Sequence, residues 1–242
     1  MTDAPEVWRQ PFDVRAYEVG PDERASLLTV ADYFQEAAGE HARSGEVETF
    51  DLGGGVGTWV LHRLRLRVEA LPRMRQRVEV ETWPSGYDRL KAYRDYRLWG
   101  DGAALVVGTS AWLVIDVARR RPVRLPTGLE GFGPAEPERV LAFEAPPAAP
   151  DAVEHARTFG VRRADLDRVG HANNVRFIEW ALEPLPSADG LREVEVLYQS
   201  EAVVGDDVVS EAGPLAEGAR AHRLSRAADG RTFALARTVW TP

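Results

Sequence analysis

Residues 126–150 read PTGLEGFGPAEPERVLAFEAPPAAP, and they decide how the rest of the chain divides. The stretch has no sustained hydrophobic period and is dense in Pro, Gly and Ala, the composition of a linker laid across a surface. It parts residues 1–125 from residues 151–242, and the same order of elements runs through both. Before the linker, residues 12–19 read as a strand. A helix follows at SLLTVADYFQEAAGEHARSG (26–45), where Leu27, Val30, Ala31, Phe34, Ala37, Ala38 and His41 recur at three- and four-residue spacing. Ser26 is its expected N-cap and Gly45 its stop. Period-two strands come next: Leu64, Leu66 and Val68 alternate with arginines, and Val78, Val80 and Thr82 with Arg77, Glu79 and Glu81. Runs at 90–99 and 104–116 part at the turn Gly100-Asp101-Gly102.

After the linker the order repeats in shorter form. A strand is expected at 156–163, a helix at 173–183 stopped by Pro184, and strands at 192–200, 208–212, 219–226 and 232–240. One helix followed by an antiparallel meander, twice over, predicts an α+β chain of two similar units, each a sheet wrapped on a helix. The strands are too consecutive for βαβ winding.

Composition narrows the function. At 44% apolar and 28% charged residues the chain is built to fold, and at its size roughly 70% of the unfolded surface is buried. The longest apolar stretch, Ala103 to Val117, contains Asp116 and is shorter than the ~18 residues of a membrane span, so no membrane segment is expected. The start, MTDAPEVWRQPFD, has neither a basic n-region nor an apolar h-region, which argues against a signal peptide. Zero cysteines remove disulfides, thiolate metal sites and a Cys nucleophile, and the expected home is the cytoplasm. No His/Cys ligand cluster is visible, so neither a metal nor another cofactor is expected. The net charge of -8, with 18 basic against 19 acidic residues in 1–125 and 12 against 19 in 126–242, argues against a nucleic-acid partner. The sequence is silent on oligomeric state, and a homodimer is compatible with it.

The densest polar cluster is Asp165-Leu166-Asp167-Arg168-Val169-Gly170-His171-Ala172-Asn173-Asn174, directly before the apolar helix VRFIEWALEP. A helix start offers unpaired N–H groups and partial positive charge, able to polarise a carbonyl without a metal. His171 sits at its mouth, and Gly170 permits close approach of a ligand. Asp, Gly and Asn are also what any loop-to-helix junction uses, and Asn173 alone reads first as a cap. The run as a whole is much rarer than its parts.

That run, ADLDRVGHANNVRFIEWALEPLP, resembles the signature of acyl-ACP thioesterases, D-x-D-x-N-x-H-V-N-N-x-x-Y leading into a helix. YQSEA (198–202) resembles the family's Y-R-R-E-C strand, and TVADYFQEAAGEH its N-Y-L-Q-E helix. WVLHRLRLRV, VEVETWPSG and SAWLVIDVARRRPVRLP fall in the expected order, so the resemblance spans nearly the whole chain. It implies two tandem hotdog domains, each a long central helix wrapped by an antiparallel sheet: 1–125 with the acyl-chain pocket, a linker at 126–150, and 151–242 with the catalytic motif. Asp167, His171 and Glu201 match the family's essential aspartate, histidine and downstream glutamate. Two positions depart from it: Val169 replaces an Asn two residues before the His, and Ala202 replaces a Cys.

The resemblance implies hydrolysis of a fatty acyl thioester. His171 and the helix amides polarise the carbonyl, Glu201 or Asp167 activates water, and the other carboxylate orients the imidazole. Strict alternation along 192–200 puts Glu201 opposite Val194, Val196 and Tyr198, so a bend is needed to aim it inward. Asn173 and Asn174 are expected to touch substrate, and Phe34, Trp59 and Trp83 to line an acyl tunnel between the first helix and its sheet. The implied partner is an acyl carrier protein, acidic and so suited to Arg63/Arg65/Arg67, Arg73/Arg75/Arg77 or Arg119–Arg121 with Arg124. Alternating arginines also describe the wet face of a sheet. Rival readings are a thioesterase for acyl-CoA or a polyketide-type carrier, a double-hotdog dehydratase or hydratase, and a non-catalytic acyl-binding protein.

Overall fold

The computed structural model describes residues 6–53, 55–129, 132–134, 137–216 and 218–241. It divides into two compact units, Met1–Leu64 with Glu69–Ala142, and Arg65–Val68 with Phe143–Pro242. No helix among the described residues is long and apolar enough to cross a membrane.

The first unit holds β1 (Trp8–Asp13), α1 (Leu27–Ser44), β2 (Thr49–Asp51), most of β3 (Val56–Val68), β4 (Arg77–Tyr87), β5 (Lys91–Gly100), β6 (Ala103–Asp116) and β7 (Arg121–Val123). Its sheet runs β1-β4-β5-β6-β3, with β2 beside β3 and β7 beside β6. The strand expected at 12–19 stops at Asp13, because Glu18 accepts the Arg15 N–H (2.7 Å) and the Tyr33 hydroxyl (2.6 Å) and draws the chain into a 3-10 turn. The Ser26 hydroxyl caps α1 by accepting the Thr29 N–H, and the Gly45 N–H closes it on the His41 carbonyl. Asp101 and Gly102, both at positive φ, make the tight β5–β6 turn.

Phe34 of α1 stacks on Tyr96 of β5 (4.8 Å between ring centres), both buried, each such side chain contributing ~1.5–3 kcal/mol. About two turns further along α1, His41 Nδ1 accepts a hydrogen bond from the buried Arg94 guanidinium (3.1 Å), which also donates to the Thr82 hydroxyl (3.2 Å). Arg94 and Tyr96 therefore face α1, and Asp95 and its cross-strand partner Trp83 face the other way.

Trp83 is thus not between the helix and the sheet, a correction to the tunnel expected from sequence. It lies where the linker is fastened. Its indole N–H donates to the Glu138 carbonyl (2.8 Å), the Val140 N–H donates to Asp95 (2.8 Å), and the Leu141 N–H donates to the Thr109 hydroxyl (3.1 Å). Phe34 does lie between α1 and the sheet. Trp59 packs edge-on against Phe50 and donates to the Val47 carbonyl.

The second unit holds β8 (His155–Gly160), α2 (Arg176–Leu182), β9 (Leu191–Tyr198), β10 (Asp207–Ala216), β11 (Ala219–Arg226) and β12 (Thr232–Trp240), its sheet running β9-β12-β11-β10-β8. With the three-residue β2 and β7 set aside, both units lay their strands in one order: first, third, fourth, fifth, second. The repetition read along the chain is therefore a repetition of topology. Phe177, Ile178, Trp180 and Ala181 form the buried face of α2, with Phe177 against Trp180 and Tyr198.

α2 is shorter than expected. Residues 173–175 form a turn rather than helix, and only seven residues are α-helical, so this helix is not long. The Ser210 hydroxyl takes up the Trp180 carbonyl (2.6 Å) within that short span. Arg65 departs from the wet-face reading: it is buried in this unit and forks onto Glu193 (3.0 and 3.1 Å).

Candidate active site

The second unit brings the sequence cluster to one loop. β8 ends at Gly160, a 3-10 turn covers Arg163–Asp165, and residues 166–172 then form an arch closed at its feet by the antiparallel Leu166–Ala172 bridge. Inside the arch, one oxygen of Asp167 accepts the backbone N–H groups of Val169 (2.9 Å) and His171 (3.1 Å), while the Asp167 N–H donates to the His171 carbonyl (2.7 Å). Gly170, at φ +86, makes the reversal that this closure requires.

Glu201 arrives from the other side. After Tyr198 the ladder breaks, because Gln199 and Ser200 both give their N–H to the Phe233 carbonyl (2.8 and 3.1 Å). The strict alternation that pointed Glu201 away from the core face therefore ends before it reaches that residue, and the expected bend is present. The Ala172 N–H then donates to the Ala202 carbonyl (2.8 Å). Glu201 Oε2 lies 3.5 Å from His171 Nε2, and both side chains are partly open to solvent.

The structure thus brings His171 to Glu201 and places Asp167 against the backbone beneath them. Asn173 and Asn174 stand just beyond. The Asn173 amide oxygen accepts the Val175 N–H (3.3 Å), and the Asn174 carbonyl accepts the Tyr198 hydroxyl (3.1 Å). One expectation fails here. The N–H groups opening α2 are not open: Arg176, Phe177 and Ile178 donate to the carbonyls of Asn173, Asn174 and Val175 (2.9, 3.3 and 3.1 Å). The tight i→i−3 turn that shortens the helix consumes its amides.

Sequence reasoning gave Asp165 no role. Its side chain is 1% exposed and accepts three bonds from Arg162: the backbone N–H (2.8 Å), Nε (3.1 Å) and Nη2 (2.7 Å). Burial works against its ionisation, but the hydrogen bonds and charge of Arg162 outweigh it and hold the carboxyl below the usual range. The signal was present in the first aspartate of the D-L-D run; its burial was not readable. Among the described residues no group of three or more His, Asp and Glu is arranged to hold a metal ion.

Residues 5–130 match the family model of the acyl-ACP thioesterase N-terminal domain, and residues 148–242 that of the acyl-ACP thioesterase C-terminal domain. The chain is 29% identical to the chloroplastic palmitoyl-acyl carrier protein thioesterase of Arabidopsis thaliana over 97% of its own length and 64% of that protein's. It is 28% identical to the chloroplastic dodecanoyl-[acyl-carrier-protein] hydrolase of Cinnamomum camphora over 98% of its length and 68% of that protein's. The chain therefore spans about two thirds of the length of these relatives. The solved 12:0-ACP thioesterase from Umbellularia californica superposes with a TM-score of 0.85 at 26% identity, with 98% of each chain covered. The fold is the expected pair of tandem hotdog units. Matched in both halves by the family's own domains and along almost its whole length by a member's structure, the chain belongs to the acyl-ACP thioesterase family.

Proposed function

We propose that this protein hydrolyses the thioester of a fatty acyl chain carried on an acyl carrier protein, releasing a free fatty acid and the carrier thiol. The observation that carries this reading is the approach of Glu201 Oε2 to His171 Nε2 at 3.5 Å, with both groups reachable by water. Family membership supports the substrate class.

Glu201 takes a proton from water, and the hydroxide adds to the thioester carbon. The resulting oxyanion is met by the His171 N–H. Collapse expels the carrier thiolate, which recovers a proton from the protonated Glu201. Asp167 is the positioning group in this scheme, because the oxygen that it turns to the arch already holds two backbone donors. The Asn174 side-chain amide is left to hold substrate. The exposed arginines Arg119, Arg120, Arg121 and Arg124, on and around β7, suit the acidic carrier.

The test is product analysis by mass spectrometry after mixing the protein with acyl-ACPs of graded chain length, with matched acyl-CoAs alongside. Free acid and carrier thiol in equal amounts support the reading. Preference for acyl-CoA moves the substrate to that carrier, and bound ligand without thiol release ends the case for catalysis. In the same assay Glu201→Gln is expected to lower kcat by about 10²–10⁴ with little change in KM.

A further inference from the structure

The arch that presents His171 has two feet, and one residue with a buried carboxylate, Asp165, contacts the chain entering the arch and the chain leaving it. At the first foot, Asp165 ends the 3-10 turn and its carboxylate is gripped by the Arg162 guanidinium and backbone N–H. At the second foot, the Asn173 N–H donates to the Asp165 carbonyl (2.8 Å). Beyond that foot, Arg176 opens α2 with its Nε 3.9 Å from Asp165 Oδ1, and this buried Nε has no hydrogen-bond partner. The other end of the Arg176 guanidinium is held by Glu179 (3.0 Å).

We propose that Asp165 is a positioning residue for the hydrolysis: it ties the chain entering the arch, through Arg162, to the helix leaving it, through Arg176, and so fixes His171 against Glu201. The proposal rests on the reading of His171 and Glu201 as the reacting pair. Asp165 touches neither of them. Its effect passes through the feet, because a seven-residue arch whose ends can separate cannot hold an imidazole to the tolerance that catalysis needs, about 0.5 Å. A buried, charge-paired anchor suits that task, since removing the anion leaves a guanidinium facing a group that no longer neutralises it.

The experiment compares wild type, His171→Ala, Asp165→Asn and Arg162→Gln in acyl-ACP hydrolysis and in amide hydrogen exchange followed by mass spectrometry. Asp165→Asn is expected to lower kcat by about 10–100-fold with KM within about twofold. Exchange should speed up only in peptides covering 166–174, with β9–β12 as protected as before. Arg162→Gln, whose guanidinium is largely at the surface, should show the same pattern more weakly, and it carries the test if Asp165→Asn does not fold. Unchanged kcat in a folded variant overturns the proposal, as does loss of protection across the whole sheet, which makes Asp165 a general stability residue. If wild type hydrolyses nothing, or His171→Ala is fully active, the reading of the site fails instead, and the exchange pattern still decides whether Asp165 clamps the arch.

Discussion

The Ala172 N–H donates to the Ala202 carbonyl at 2.8 Å, and this single bond sets the neighbours of those two residues, His171 and Glu201, side by side. The two segments are distant in the chain and belong to no common ladder. Their meeting depends on the break after Tyr198 and on the arch closed beneath His171.

Asp167 and Glu201 are the two carboxylates that could act as base, and their surroundings separate them. The Asp167 oxygen that faces the arch accepts two N–H groups, whereas Glu201 meets the imidazole. An asparagine at 167 keeps a carbonyl oxygen for the same two donors, though neutral hydrogen bonds are about half as strong as charge-assisted ones. Asp167→Asn is therefore expected to retain kcat within about tenfold, and Asp167→Ala, which frees the arch, to lose about 100-fold. Equal losses in the two variants, measured by thiol release, would return Asp167 to the role of base.

Much of this was legible in the sequence, and the failures share a cause. The helix period of 26–45 and the strand alternation reached the right elements because each depends on one buried face. The positions that misled depend on tertiary partners. Trp83 reads as core in any strand, and only the register against Asp95 and the bond to Glu138 place it under the linker. Arg65 alternates like a wet residue yet finds Glu193, 128 positions away. The opening of α2 reads as a capped helix, while the backbone there tightens into a turn that uses its own amides.

The linker's grip on the first unit centres on Thr109, buried on β6. Its hydroxyl donates to Asp95 and accepts the Leu141 N–H (3.1 Å), and Asp95 also accepts the Val140 N–H (2.8 Å). Thr109→Val keeps the shape and removes the relay, stranding a buried N–H and weakening the solvation of a buried carboxylate. A loss of about 1–3 kcal/mol in unfolding free energy is expected, with faster proteolysis within 137–141. Unchanged stability in a denaturant titration would mean that the linker is held by its other contacts.

His222 gives the protein a stability term that depends on pH. The ring is fully buried with Nε2 2.8 Å from the Thr238 hydroxyl, and burial lowers its pKa to about 4. Between that value and the ordinary one near 6.5, the unfolded chain binds a proton that the folded chain refuses. The contribution is therefore fully present above about pH 6.5 and is lost as pH falls toward 4. Acidifying from pH 7 to 4.5 is expected to remove about 2–3 kcal/mol through this residue. Asp95, whose pKa burial raises, acts in the opposite direction, so the difference between wild type and His222→Gln isolates the histidine. Parallel stability curves for the two proteins across this range would contradict the assignment.

Val169 is the departure from the family's motif that bears most on rate. Its side chain is 64% exposed, while its N–H is tied to Asp167 within the same arch that carries His171. Because nothing packs tightly around the isopropyl group, an asparagine can replace it without opening a cavity or burying an unpaired amide. The backbone bond to Asp167 is kept whatever the side chain. Stability should therefore stay within about 0.5 kcal/mol, as for other surface substitutions. An amide two residues from the imidazole adds a donor near the developing oxyanion, where one well-placed donor is worth about 10²–10³ in kcat. An exposed side chain is less well ordered than a buried one, so the expected gain for Val169→Asn is smaller, about tenfold, and it should appear in kcat rather than KM. A variant with unchanged turnover on acyl-ACP would show that His171 alone meets the oxyanion and that valine at this position costs the protein nothing.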